Sequence, residues 1–296
     1  MSTFILLTIT GFGLGAMYFL IASGLSLIYG LMGVLNFAHG AFLTVGAYAS
    51  WWMSEHAFHG VHSILVRFLL GALAGLAAGG VFAALVELVL IRPLYRRHIE
   101  QVLVTVGLSI AFVALVQGIW GPGVRAYAAP AWLHETTTIF AARVPNDRFV
   151  EIATAAVVLG LLQLFLRRTR YGLIIRAGVE NRAMVTALGI DVRKAFTLVF
   201  ALGGVAAAIA GVLGGVYFNS IDPGQGTSLL IFAFIVVVIG GLGSISGSAL
   251  AGVVVALVQQ YANYYASSGI GDLSVVMLLG LVLLARPRGL AGAFAT

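Results

Sequence analysis

Apolar residues run along this chain in long continuous segments that are separated by short polar stretches. The segments lie at residues 4–31, 37–53, 64–91, 101–120, 149–166, 196–218, 228–242, 248–265 and 273–285. A helix needs roughly 20 apolar residues to cross a bilayer. A membrane-spanning strand would alternate between polar and apolar residues instead. The pattern predicts an all-α fold, a polytopic transmembrane helical bundle of about eight spans in a single domain over residues 1–296.

Two breaks interrupt this otherwise lipid-compatible sequence. The first reads LMGVLNFAHGAFLTVGAY over residues 31–48 and places Asn36 and His39 among glycines. Polar groups at bilayer depth are tolerated where they pack inside protein or line a watery path. The second, IGGLGSISGSALAG over residues 239–252, again combines glycines with small polar groups. Paired glycine-interrupted segments in a transporter indicate a substrate path, so we expect glycine-broken helices at both places.

Charge is scarce and unevenly placed. Only 9% of the residues are charged, against about 25% in soluble proteins, and the net charge is +6. The basic residues cluster at 92–97, 167–194 and 286–288, which predicts cytoplasmic loops rather than a nucleic-acid partner. The intervening segments supply even numbers of crossings. If segment 4–31 crosses once, which we favour, the N-terminus lies outside; two crossings would place it inside. We expect this segment to be retained, because it lacks a signal-peptide pattern.

The longest hydrophilic stretch, residues 167–194, has the pattern of an amphipathic helix. Its apolar residues recur at near-helical spacing, and Gly189 is suited to end the helix. Such a helix, exposing Glu180, Asn181 and Arg182, suits docking of a soluble partner. The alternative is a helix that lies on anionic lipid headgroups.

Glu87 is an isolated carboxylate near the end of an apolar segment, and such a group is a functional candidate by default. Arg92 follows within a turn and a half, close to the predicted interface. We therefore favour a structural ion pair, or a carboxylate that reaches the interface.

Three histidines, His56, His59 and His62, are spaced three residues apart in an outer loop. Imidazoles at this spacing on a helix can share a metal ion. Gly60 weakens such a helix and no set of carboxylates follows, so we predict no metal site.

Motifs for nucleotide binding and hydrolysis are missing from the sequence. It contains no G-x-x-x-x-G-K-[ST], no H-E-x-x-H, no G-x-S-x-G and no cysteine. We therefore predict that the chain is not an enzyme, has no catalytic residues and holds no cofactor of its own.

The first break, extended to GLSLIYGLMGVLNFAHGAFLTVGAY, resembles the signature of permease subunits from branched-chain amino-acid ABC importers. The resemblance continues in order through VELVLIRPLYRR, RAGVENRAMVTALGID, YFNSIDPGQG, VVVIGGLGSISGSALAGVVVAL and LLARPRGL. It covers nearly the whole chain. The combination of motifs is specific, whereas one glycine motif alone would not be.

This resemblance implies a division of labour in a bacterial inner membrane. A homologous second permease subunit would complete the membrane pathway, and two cytoplasmic ATPase subunits would bind ATP and magnesium. An extracytoplasmic solute-binding protein would deliver the solute, and membrane lipid would surround the permeases. A coupling loop at about residues 167–195 would contact the ATPases. The coupling residues carried over onto this chain are Arg176, Glu180, Asn181, Arg182, Ala187 and Gly189.

The resemblance also marks a substrate pathway at the two breaks. The expected pathway residues are Asn36, Phe37, His39, Gly40, Phe232 and Ser244. Where many family members carry an acid and a lysine, this chain has Ala41 and Phe232. Branched-chain amino acids or related small polar or carboxylate solutes, among them urea, short amides and aromatic acids, are the expected cargo. The alternative function is a self-contained channel or secondary transporter for a small solute.

Overall fold

The computed structural model describes residues 2–33, 35–58, 60–95, 97–189, 192–267, 269–287 and 289–291. Helices dominate this part of the chain. They are α1 (Ser2–Met32), α2 (His39–Trp52), α3 (Ile64–Val86), α4 (His98–Trp120), α5 (Ala131–His134), α6 (Asn146–Arg168), α7 (Arg170–Ala187), α8 (Val192–Phe218), α9 (Gln225–Gly240), α10 (Ile245–Tyr265) and α11 (Ile270–Ala285). Short π-helical turns extend α2 over Met53–Ala57 and α3 over Glu87–Ile91, and the single turn Arg92–Leu94 follows the latter.

The predicted polytopic bundle is confirmed. The helices α1, α3, α4, α6, α8 and α10 are long and apolar enough to cross a membrane, and α9 and α11 are shorter apolar helices. Among the six long helices, α1 and α8 are the most buried and α4 is the least buried. The core therefore lies around α1 and α8, which pack against α2, α9 and α10.

The continuity of the first helix indicates how many times the N-terminal segment crosses the membrane. α1 is one unbroken helix of 31 residues, which gives a length of about 46 Å at about 1.5 Å per residue. A single crossing, as favoured above, matches this continuity, and an external N-terminus stays a prediction. We call the end of the bundle that carries α7 the inner end, and the opposite end the outer end.

Short strands lie at the outer end, and they were not predicted from the sequence. The strands β1 (Arg125–Ala126) and β4 (Ser220–Ile221) pair antiparallel. The strands β2 (Thr136–Ile139) and β3 (Ala142–Pro145) form a hairpin. The first pair connects the loop after α4 to the turn after α8, and so closes the outer end around the bundle.

Candidate functional site

The first break places the start of α2 inside the bundle. α1 ends at Met32 and α2 begins at His39. The Nε2 atom of His39 donates to the carbonyl oxygen of Ile21 at 3.1 Å. Ile21 lies 11 residues before Met32, which is about 16 Å back along α1. Residues 35–38 therefore return into the protein, and α2 starts near the middle of the bundle rather than at its inner end.

His39 is completely buried and serves as a brace between α1 and α2 in this structure. Its ring lies against Gly24 and contacts Phe42 edge-on at 5.5 Å between centroids. Nδ1 has no hydrogen-bond partner among the described residues. The carbonyl of Ile21 can only accept, so Nε2 carries the proton and Nδ1 is left as a free acceptor.

Asn36 shapes the turn that leads into α2. Its Oδ1 atom accepts from the backbone N–H of Ala38 at 3.0 Å, and its carbonyl accepts from the N–H of His39 at 3.2 Å. Its Nδ2 atom finds no partner in the described part of the chain. Asn36 lines a cavity of about 10 Å³ together with Gln101 and Thr105, which is the space that one water molecule requires.

Both phenylalanines of the expected pathway stack on aromatic neighbours. Phe37 stacks on Phe234 of α9 with centroids 5.3 Å apart, and Phe232 stacks on Tyr18 of α1 at 5.2 Å. Phe37 and Phe232 are half-buried, whereas Ala41 is fully buried. α9 thus contacts both the first break and the middle of α1.

The start of α2 touches the start of α9 backbone to backbone. A Cβ atom added to Gly226 would collide with the carbonyl oxygen of Gly40 and with Oγ1 of Thr44. A Cβ atom on Gly40 would meet the backbone of Gly226 in turn. Gly40 is therefore required for the crossing of two helices, and α9 leads directly from this crossing to the second break.

At the second break, two glycines turn the chain and a serine starts the next helix. Gly241 and Gly243 have φ values of 98° and 84°, which only glycine adopts readily. The hydroxyl oxygen of Ser244 accepts from the N–H of Gly247 at 3.0 Å, so Ser244 is the N-cap of α10. Ser244, which the sequence marks as a pathway residue, therefore caps a helix in this structure.

A segment that sequence reasoning missed completes the second break. The N–H of Leu290 donates to the carbonyl of Ile239 at 2.8 Å, and that of Ala291 donates to Gly240 at 3.1 Å. The last carbonyls of a helix lack partners within the helix. The N–H groups of Leu290 and Ala291 provide these partners for α9. The one sequence signal was Gly289, whose φ of 78° makes the turn.

The predicted inner helix is present as α7, which packs on α6, α8 and α1 at the inner end. Its expected amphipathic pattern is wrong, because large apolar side chains lie on both its buried and its exposed faces. Its buried face carries Ile175 and Val185. Its other face exposes large apolar side chains: Tyr171, Leu173 and Met184, with Leu188 just beyond the helix. Arg176, Ala187 and Gly189 are also exposed. The side chains of Glu180, Asn181 and Arg182 lie outside the described part of the structure.

The predicted ion pair of Glu87 is confirmed. Arg92 donates through Nε and Nη2 to the two carboxylate oxygens of Glu87, at 3.3 and 3.2 Å. The hydroxyls of Tyr95 and Thr197 donate to the same carboxylate. Glu87 is completely buried. The network links the end of α3 to α8, so its role is structural.

An open cavity of about 910 Å³ lies at the outer end, where β1 meets α2 and α5. Trp51, Glu55, Arg125 and His134 line it, and the Arg125 guanidinium lies 5.9 Å from the Trp51 ring. Beneath it, burial raises the pKa of the Tyr127 phenol, whose hydroxyl bonds to Ser50.

Of the three histidines in the outer loop, His59 falls outside the described residues. Among those described, no group of three His, Cys, Asp or Glu side chains could hold a metal.

Comparison with known proteins gives a consistent picture. The model of a family described as "Branched-chain amino acid transport system / permease component" matches residues 7–286. The permease protein LivH of Salmonella typhimurium, from a high-affinity branched-chain amino acid transport system, is 29% identical over 95% of this chain and 93% of its own length. BraD of Pseudomonas aeruginosa, from a system of the same description, is 29% identical over 96% and 94%. A fructose import permease protein, FruF of Bifidobacterium longum, is 27% identical over 83% and 67%. No solved structure matches the chain.

Proposed function

We propose how the two breaks and the inner helix of this chain work, given that the chain belongs to the family of branched-chain amino acid transport system permease components. The chain is a multi-pass permease subunit of an ATP-binding-cassette importer in the bacterial inner membrane, and it is not an enzyme. The observation that carries this function is the family match over residues 7–286, which covers every helix except the first five residues of α1, and both breaks.

The inner helix is the proposed contact with the ATPases. α7 presents exposed apolar side chains beside the Arg176 cation, a composition that suits insertion into a groove of a soluble partner. Two cytoplasmic ATPase subunits, which bind ATP and magnesium, would hold α7 and its counterpart on a homologous second permease. Closure of the ATPases then moves α7 and switches the access of the pathway. The proposed coupling residues are Arg176, Glu180, Asn181, Arg182, Ala187 and Gly189.

The proposed pathway follows the two breaks. Helices that start inside a bundle place their ends beside a solute at mid-membrane, and α2 starts at such a depth. An extracytoplasmic solute-binding protein would deliver a branched-chain amino acid or a related small polar or carboxylate solute. Ala41 and Phe232 leave this region without a charge pair, which favours recognition of the solute by the binding protein. The proposed pathway residues are Asn36, Phe37, His39, Gly40, Phe232 and Ser244, of which His39 and Ser244 act as brace and helix cap.

The test of the function is ATP-driven uptake by the complete complex, combined with a change in α7. Leu188→Asp is expected to reduce co-purification of the ATPase subunits and uptake by about 30-fold, because burying a leucine side chain contributes about 1.5–3 kcal/mol. Leu188 is 70% exposed in this chain. Uptake of labelled leucine into liposomes, in the presence of the binding protein, measures the effect.

Phe140→Asp is the matched control, because Phe140 is 84% exposed at the outer end. It should leave the ATPases bound. Retention of the ATPases by the Leu188→Asp complex would show that α7 is not the docking helix. Uptake without ATP by this chain alone would instead establish the alternative function, a self-contained channel or secondary transporter.

The first break is tested by Asn36→Ala and His39→Ala. Each should lower uptake about tenfold while the subunits still assemble, because the turn into α2 and its bond to Ile21 loosen without a change in the surface. Ser26→Ala is the control. Its hydroxyl is buried and has no partner among the described residues, so its removal breaks no bond. Normal uptake by both break variants would remove Asn36 and His39 from the mechanism.

A further inference from the structure

A cavity of about 240 Å³ lies at the outer end between α3, α5, α6 and α8. Phe68, Val150 and Leu213 form its wall, and its accessible surface is entirely apolar. Protein interiors are close-packed, and an apolar space of this size costs the dispersion contacts of every group that lines it. An apolar occupant would restore those contacts.

The mouth of the cavity opens on the side of the bundle. Leu65, Leu69 and Trp132 line it and are 43%, 50% and 45% exposed. Leu65 and Leu69 are four residues apart on α3, and Leu73, a further turn along, is also exposed. This row of leucines is the face that a spanning helix presents to the hydrocarbon. The mouth is therefore continuous with a lipid-facing surface.

A buried group of charges lies against the same cavity. The Nη1 atom of Arg148 is 3.3 Å from both Asp147 Oδ2 and Glu151 Oε1, and its guanidinium lies over the ring of Tyr217. One oxygen of Asp147 and one of Glu151 have no partner among the described residues. Both acids line the cavity through their carbon atoms, since no polar atom contributes to its accessible surface. A dry surrounding strengthens the attraction of the guanidinium for each carboxylate, and also the repulsion between the two carboxylates.

The depth of this group places it inside the hydrocarbon. The carboxylate of Glu151 lies against Gly13 of α1. Thr8 of α1 bonds to Tyr261 in the last two turns of α10, which marks the outer end. Gly13 lies five residues, or about 7 Å, deeper than Thr8. α1 is about 16 Å longer than the ~30 Å hydrocarbon, so Gly13, about 16 Å from the outer end of α1, lies within a hydrocarbon layer centred on this helix.

We propose that this cavity binds an acyl chain of a membrane phospholipid. The cavity volume of about 240 Å³ is many times the roughly 10–15 Å³ that a water-sized group needs on the same measure, so a run of several methylenes fits. The chain enters between Leu69 and Trp132, covers Val150, and keeps water away from the charges around Arg148. This inference is independent of the transport cycle proposed above.

Val150→Phe tests the proposal by filling the cavity from within. Val157→Phe is the matched control, because Val157 lies two turns further along the same face of α6, is 59% exposed, and lines no part of this cavity. Native mass spectrometry of the purified complex counts the phospholipids retained per copy of this chain. The wild type and Val157→Phe should retain one more phospholipid than Val150→Phe.

A second readout uses quenching by phospholipids brominated on the acyl chain. The contribution of Trp132, taken as the difference between the wild type and Trp132→Phe, should be quenched less in Val150→Phe. If Val150→Phe does not fold, Leu69→Phe at the mouth, where the side chain is half-exposed, decides the question in its place. Equal lipid counts in all variants would overturn the proposal. Loss of the second permease subunit from Val150→Phe would also overturn it, because the cavity would then be a subunit interface.

Discussion

Gly226→Val is expected to prevent the bundle from folding. The new Cβ atom would overlap the carbonyl oxygen of Gly40 and the hydroxyl of Thr44, so α2 and α9 would have to separate. Overpacking by a side chain that can shift costs about 1–3 kcal/mol. Here the obstacle is backbone at the centre of the bundle, and the two further atoms of valine have no space. We expect the free energy of unfolding to fall by more than about 5 kcal/mol, which is as large as the whole stability of many proteins.

The measurement is the yield of monodisperse protein after extraction, followed by its thermal unfolding in detergent. Gly118→Val is the matched control, because Gly118 also lies in a long apolar helix but has no atom within 4 Å of an added Cβ. The control should behave like the wild type. A normal yield and melting temperature for Gly226→Val would show that α2 and α9 do not meet at this crossing.

Arg92→Met is expected to destabilise the protein by about 3 kcal/mol, because removing one partner of a buried ion pair leaves a buried charge uncompensated. Glu87 is completely buried and, among the described residues, would keep the hydroxyl donors of Tyr95 and Thr197 alone. Adding Glu87→Gln to Arg92→Met should recover part of the loss, since the uncompensated charge disappears. Thermal unfolding of both variants and of Glu87→Gln alone gives the coupling energy.

An exposed ion pair provides the control for this cycle. Arg97 and Glu100 lie 4.0 Å apart with both side chains exposed, and such pairs contribute about 0–1 kcal/mol. Arg97→Met should therefore have almost no effect. If Arg92→Met is equally harmless, the network around Glu87 is not a source of stability.

Features that depend on local pattern could be predicted from the sequence. Continuous apolar runs identify the spans, because each helix in lipid must satisfy its own backbone. Glycines at residues 239–252 predict the interruption between α9 and α10. The pairing of Glu87 with Arg92 follows from their separation of five residues. Each of these depends on residues that are close together in the chain.

Features that depend on distant contacts could not be predicted. Asp147, Arg148 and Glu151 belong to a hydrophilic edge of a segment, and their burial follows only from contact with Gly13 and Tyr217. The pairing of β1 with β4 joins residues almost one hundred positions apart. For Asn36, polarity in an apolar segment predicted an interior position, but only the structure shows its bond to Ala38.

The bonds from residues 290 and 291 to the end of α9 have a mechanical consequence. They close the chain from Ile239 to Ala291 into a ring that contains α10 and α11. Within this ring, rotation or sliding of α9 at its inner end strains these two bonds and pulls on α11. A movement at the second break is thus transmitted to α9, α10 and α11 together.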